Sequence, residues 1–167
     1  KSELLVRLAE ELAYYSFDDS LDYINKNISD DDLRYKSCKA LFYATYRQEP
    51  TKCSQLLEFI KPDVDDQKAW QDHWRFLGRT YVYHWGRKDP LRALEWVESL
   101  DCKTYGKEET SKGFFFRNIM KGWARTDPEE ARKWVNGNAK LDLKLKEKYL
   151  YVIEKFAKRR GDVHILR

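Results

Sequence analysis

Two stretches decide the fold: HWGRKDPLRALEWV, residues 84–97, and GWARTDPEEARKWV, residues 122–135. In each, a Trp stands five places before a Pro, an Arg three before, an Asp one before, and a second Trp six after. Weaker copies surround them. Pro50 follows Glu49 and Arg47, Phe17 holds the Pro place in LAYYSFDDSLDYI, and Gly161 holds it in KFAKRRGDVHIL. The anchors 17, 50, 90, 128 and 161 are spaced 33, 40, 38 and 33 residues apart. A period of that size is the mark of a helical repeat array.

The aligned columns carry the physics. Twelve before the anchor stand Leu5, Cys38, Gly78, Phe116 and Tyr149; nine before, Leu8, Leu41, Tyr81, Ile119 and Val152. Eight before stand Ala9, Phe42, Val82, Met120 and Ile153; five before, Leu12, Thr45, Trp85, Trp123 and Phe156. These offsets form an i, i+3, i+4, i+7 set, one face of an α-helix. Four before the anchor the residues are mostly small (Ala13, Gly86, Ala124, Ala157), as a close helix–helix approach requires. After the anchor, Ser20, Cys53, Ala93 and Ala131 stand at +3 and Ile24, Leu57, Val97 and Val135 at +7, marking a second, shorter helix.

The Asp-Pro pair is then a helix start. Asp89 and Asp127 are N-caps, whose carboxylates accept from free N–H groups of the first turn. Pro90 and Pro128 take the first helical position, where a missing N–H costs nothing. Long helices are predicted over about 3–15, 31–47, 67–87, 109–125 and 142–160. Short ones are predicted over about 18–26, 50–61, 90–100 and 128–136, with linkers at 60–66 and 101–109 and a helix stop at Asn136-Gly137-Asn138.

The expected fold is all-α, a short α-solenoid of antiparallel helix pairs. About four pairs and a final helix would make one repeat domain over residues 1–167. In this two-helix period the chain resembles the tetratricopeptide-like superfamily of helical repeats. The unit holding Phe76-Leu77-Gly78 and Tyr81 is similar to that family's Leu-Gly and Tyr positions. The resemblance implies a binding scaffold, which is an argument from fold.

Composition agrees with helices and narrows the function. Gly (7) and Pro (4) are scarce in 167 residues, while aromatic residues reach 15%. With 42% hydrophobic and 36% charged residues the chain is neither disordered nor membrane-spanning in character. Three cysteines without a CxxC pair argue against a disulfide framework or thiolate metal site and mildly favour a reduced intracellular compartment. The first residue is Lys1, which fits a segment of a longer protein. Asn27-Ile28-Ser29 is a glycosylation triplet, a pattern that arises often by chance.

No catalytic motif stands out. The three histidines are scattered, and no glycine-rich phosphate loop or Gly-x-Ser-x-Gly turn is present. Asp30–Asp32 and Asp63, Asp65 and Asp66 precede helices, where negative charge is favourable without a metal. Hence no enzyme, no cofactor and no metal are expected.

Charge patterning supplies the candidate site. Residues 1–83 carry 12 basic and 15 acidic side chains, net −3; residues 84–167 carry 20 and 13, net +7. On the long helices the positions 11, 7 and 3 before the anchor form a stripe about 150° from the apolar centre. Its occupants are Lys39, Tyr43 and Arg47, then Arg79, Tyr83 and Arg87, then Arg117, Lys121 and Arg125. Long helices side by side would merge these stripes into one basic face. Arg47, Arg87 and Arg125 would contact anions beside Lys39, Arg79 and Arg117, with Tyr43 and Tyr83 supplying stacking area.

An acidic peptide or protein partner fits such a face through Arg forks. A nucleic-acid backbone is the alternative partner. The plain alternative is an ordinary solvated face whose Arg residues cap helix ends and pair with acids nearby, such as Glu49, Asp89 and Asp127. The run KLDLKLKEKYLYVIEKFAKRRGD, residues 140–162, reads best as the next long helix, because Tyr149, Val152, Ile153 and Phe156 fall in the core columns.

Overall fold

The computed structural model describes residues 2–57, 59–60, 67–100 and 112–158, and these are all-helical, with no strand among them. The helices are α1 (Ser2–Tyr15), α2 (Phe17–Asn27), α3 (Asp31–Thr45), α4 (Pro50–Cys53), α5 (Gln67–Phe76), α6 (Val82–Lys88), α7 (Pro90–Ser99), α8 (Lys112–Thr126), α9 (Pro128–Gly137) and α10 (Leu143–Lys158). The linker segments 61–66 and 101–109, the anchor Gly161 and the third cysteine, Cys102, lie outside the described residues.

Each described anchor is the first residue of a helix: Phe17, Pro50, Pro90 and Pro128. The residue before it does the capping. Ser16 accepts from the Asp19 N–H, Asp89 from Arg92 and Asp127 from Glu130, the last at 2.9 Å. Glu49 makes no such bond, since its longer side chain instead pairs with Lys52 at 2.9 Å. Asp142 caps α10 in the same way through the Leu145 N–H, at 2.8 Å.

Two spans differ from the periodicity. The helix expected over 50–61 keeps α geometry only to Cys53 and tightens into a 3₁₀ turn at Ser54–Leu56. There the Ser54 hydroxyl donates to the Thr51 carbonyl at 2.7 Å, a local bond that competes with the helix ladder. The helix expected over 67–87 is interrupted at Leu77–Tyr81 by a turn wound as π-helix. Asn136-Gly137-Asn138 does end α9. Gly137 is its last helical residue, and the extended Asn138 accepts from the Lys140 N–H.

The chain divides into two compact units, residues 1–73 and 74–167. In the first, α1, α2 and α3 pack on one another. Ala9, Ile24, Leu41, Phe42 and Cys53 are fully buried there. In the second, α8 packs against both α6 and α10, α7 against α6 and α8, and α9 against α8 and α10. The core columns hold almost throughout: Tyr81, Val82, Ile119, Met120 and Ile153 are all at 0% exposure. Leu8 departs, at 43%.

The paired tryptophans of the repeated stretch meet each other. Trp85 lies 5.6 Å from Trp96, and Trp123 lies 6.1 Å from Trp134, so each pair ties a long helix to the short helix after it. Such ring contacts stabilise by about 0.5–1.5 kcal/mol beyond area burial. Trp74 and Phe115 stack edge-on at 4.7 Å beside the first pair.

Between α6 and α8 the backbones nearly touch. A Cβ on Gly86 would lie 2.5 Å from the Ile119 carbonyl oxygen, and one on Gly122 would lie 2.2 Å from that of Tyr83. Gly122→Ala is therefore expected to destabilise by about 1–3 kcal/mol despite alanine's helix propensity of about 1 kcal/mol over glycine. Gly137 has nothing within 4 Å of such a Cβ, so Gly137→Ala is expected to stabilise by about 0.5 kcal/mol. Urea midpoints of the two variants check the opposite signs. By the same measurement Asp127→Ala should cost about 1 kcal/mol. Glu49→Ala, which loses only an exposed ion pair, should cost about 0.5 kcal/mol or less.

Candidate functional site

The stripe residues fall into two groups, one in each unit. In residues 1–73, Lys39, Tyr43 and Arg47 are exposed along α3 and its end. Their charges rest on tyrosines. Lys39 lies 5.3 Å from the Tyr35 ring and donates to its hydroxyl at 3.3 Å. Arg47 lies 5.5 Å from the Tyr46 ring and its Nε donates to the Tyr46 hydroxyl at 2.9 Å. Tyr43 packs edge-on against Phe42 and Tyr46, and burial raises its phenol above the ordinary value.

In residues 74–167 the cations crowd. Lys121 is half-buried, and its ammonium is held below the ordinary lysine value by burial, then by Arg117, Arg79 and Lys155. These groups come from the π-helical turn, α8 and α10. The lysine is anchored: its Nζ donates to Asn118 Oδ1 at 2.8 Å, and the buried Asn118 donates in turn to the Phe114 carbonyl at 3.0 Å. Lys121 and Arg125 both sit over the Phe156 ring, at 5.5 and 5.8 Å. Arg125 Nε is buried with no hydrogen-bond partner.

The acids beside the stripe are engaged elsewhere. Glu49 pairs with Lys52 and Asp89 with Arg92, while Asp127 caps α9. Glu129 pairs with Arg132, and Glu130 pairs with Lys133 at 3.5 Å. Among the described residues none of Arg79, Arg87, Arg117, Lys121 and Arg125 forms an ion pair. Among the described residues none of Arg47, Arg87 and Arg125 pairs with the acid two places on.

Two features depart from an open stripe. Tyr83, Lys121 and Arg125 are only half-exposed, because the stripe borders the seam where one long helix meets the next. Tyr83 packs edge-on against His84 at 5.3 Å, and its carbonyl is the atom that crowds Gly122. Arg87 is exposed, and its charge is not among the neighbours that act on Lys121.

Three contributors escaped sequence reasoning: Asn118, Lys155 and Phe156 as a cation platform. Asn118 had a legible signal, a polar residue one place from the core column of Ile119. Lys155 and Phe156 had none, because their role arises from α10 lying against α8.

Burial pushes the Cys53 thiol up to about 12, although Thr45 hydrogen-bonds it, and burial also raises Cys38, so neither is poised as a thiolate. Among the described residues no group of three or more His, Cys, Asp or Glu side chains is placed to hold a metal ion. Asp30 caps α3 through the Leu33 N–H and Asp32 pairs with Lys36; Asp63, Asp65 and Asp66 lie outside the described residues. No helix among the described residues is long and apolar enough to cross a membrane. Comparison with protein-family models, with curated proteins and with solved structures finds no match to the chain.

Burial, then the charge of Lys39, pushes the His73 imidazole down to about 4. The unfolded chain would bind this proton near 6.5, so between about pH 6.5 and 4 unfolding takes up a proton and stability falls as pH falls. The loss from this group should reach about 2 kcal/mol by pH 4, after discounting for partial solvent access. Urea unfolding at about pH 7 and pH 4.5 should show a smaller acid-side loss in His73→Gln than in the wild type.

Proposed function

We propose that this chain is a non-catalytic interaction module whose helix pairs form a tetratricopeptide-like α-solenoid. It holds an acidic segment of a partner protein on the basic face of residues 74–167. What supports the solenoid is the packing pattern within that unit: each short helix touches the long helix before it and the long helix after it. What carries the binding role is the cluster of Arg79, Arg117, Lys121 and Lys155, drawn together without an ion pair of its own to a described acid.

The energetics favour an anion. Like charges at close range repel, and desolvating Lys121 adds to that cost. A carboxylate brought to the cluster relieves both and forms charge-assisted hydrogen bonds, each contributing about 1.5–3 kcal/mol. A cluster on a folded scaffold also speeds encounter with an acidic partner in a salt-dependent way. The net +7 of residues 84–167 extends that field.

Fluorescence anisotropy with a labelled poly-Glu peptide is the test. Binding should appear at low salt, weaken as salt rises, and fall about tenfold or more in Arg117→Glu, with the melting temperature nearly unchanged. Absence of peptide binding at low salt would overturn the proposal. A labelled single-stranded oligonucleotide that binds more tightly than poly-Glu of matched charge would replace the protein partner by nucleic acid.

A further inference from the structure

We infer that the group recognised at Lys121 is a phosphoryl monoester, so that the partner is a phosphorylated peptide. The inference rests on the acidic-partner proposal above and specifies the chemistry of the same site.

The first reason is charge density. Arg117, Arg79 and Lys155 all act on the single ammonium of Lys121, and Arg125 shares the Phe156 ring with it. One carboxylate brings one negative charge and two acceptor oxygens. A phosphoryl monoester brings about −1.5 to −2 and three strong acceptors. It matches a site where three cations act on one ammonium and a fourth shares its aromatic ring. A phosphodiester carries one charge per unit and spreads it along a strand, so it matches less well.

The second reason is donor geometry. Lys121 has three N–H donors, of which Asn118 Oδ1 takes one at 2.8 Å. Asn118 is itself buried at 4% exposure and fixed through Phe114, so the ammonium has a built support rather than a free tether. The remaining lysine donors are unspent among the described residues. Arg79 and Arg117 are exposed guanidiniums that can present two parallel N–H groups to two oxygens. Arg125, which shares the Phe156 ring with Lys121, has a buried Nε without a hydrogen-bond partner. Glu154 stands next to Lys155 on α10 as the acid of this face, and it is not among the groups that act on Lys121.

The experiment follows backbone and lysine NMR signals of the ¹⁵N-labelled chain during titration. The probes are three synthetic pentapeptides, alanines flanking a central phosphoserine, Glu or Ser, with inorganic phosphate as a fourth. The phosphoserine peptide should shift signals at Asn118 and Lys121 and bind about tenfold or more tightly than the Glu peptide. Lys121→Met and Arg117→Gln should each reduce that affinity about tenfold, while Lys133→Gln on α9 leaves it unchanged. Removing the phosphate with a phosphatase should reverse the shifts in the wild type, a readout that no folding defect can imitate.

Equal binding of the Glu and phosphoserine peptides would overturn the phosphoryl assignment and leave the acidic-partner proposal standing. So would poly-Glu binding without any effect of the phosphoserine peptide. Inorganic phosphate binding as tightly as the peptide would overturn the peptide part of the inference. Failure of poly-Glu and the phosphoserine peptide alike would overturn both proposals.

Discussion

The near-contact of two backbones, α6 against α8, is the constraint on which residues 74–167 depend. Gly86 faces the Ile119 carbonyl and Gly122 faces the Tyr83 carbonyl, with no room on either side for a methyl group. Helix axes separate by about 8–10 Å when side chains intervene, and glycine at both faces favours the short end of that range. Side chains flanking such a seam are forced close together. Lys121, one residue from Gly122, therefore stands beside this seam, half-buried, where Arg79 of the preceding π-helical turn acts on it.

The cluster is electrostatically expensive, and the surroundings offset only part of the cost. Phe156 offers its ring face to Lys121 and Arg125, and Asn118 takes one lysine proton. In residues 74–167 the acids Asp89, Asp127, Glu129 and Glu130 are engaged at helix starts and in i,i+3 pairs along the short helices. The contrast with residues 1–73 is instructive. There Lys39 rests on Tyr35 and Arg47 on Tyr46, each cation with an aromatic face on its own helix or helix end. The same stripe positions thus produce ring-supported single charges in one unit and a dense cationic patch in the other.

Much of the helical pattern was legible because its signals are local. An Asp-Pro pair specifies a cap and a first helical position through contacts within four residues. The anchor register then predicts burial by helical geometry alone, and Ala9, Phe42, Val82, Met120 and Ile153 are all buried as their shared column requires. Two features that periodicity does not carry, one local bond and one tertiary contact, accompany the departures. Ser54 tightens the helix after Pro50, and the turn at Leu77–Tyr81 widens where Gly78 lies against the Phe114 ring.

The sequence by itself determined the helices, their starts, their buried faces and the presence of basic residues at three related offsets. Those properties depend on neighbours within a turn or two, which the chain order contains. The spacing of Arg117 and Lys121 on α8 is legible in the sequence, whereas only the tertiary structure decided which basic residues of other elements join them, because that depends on how the helices pack. It brought Arg79 and Lys155 to act on Lys121, left Arg87 exposed and outside that group, and turned Phe156 from a core position into a cation platform. Through-space repulsion among side chains on separate helices has no counterpart in spacing along the chain.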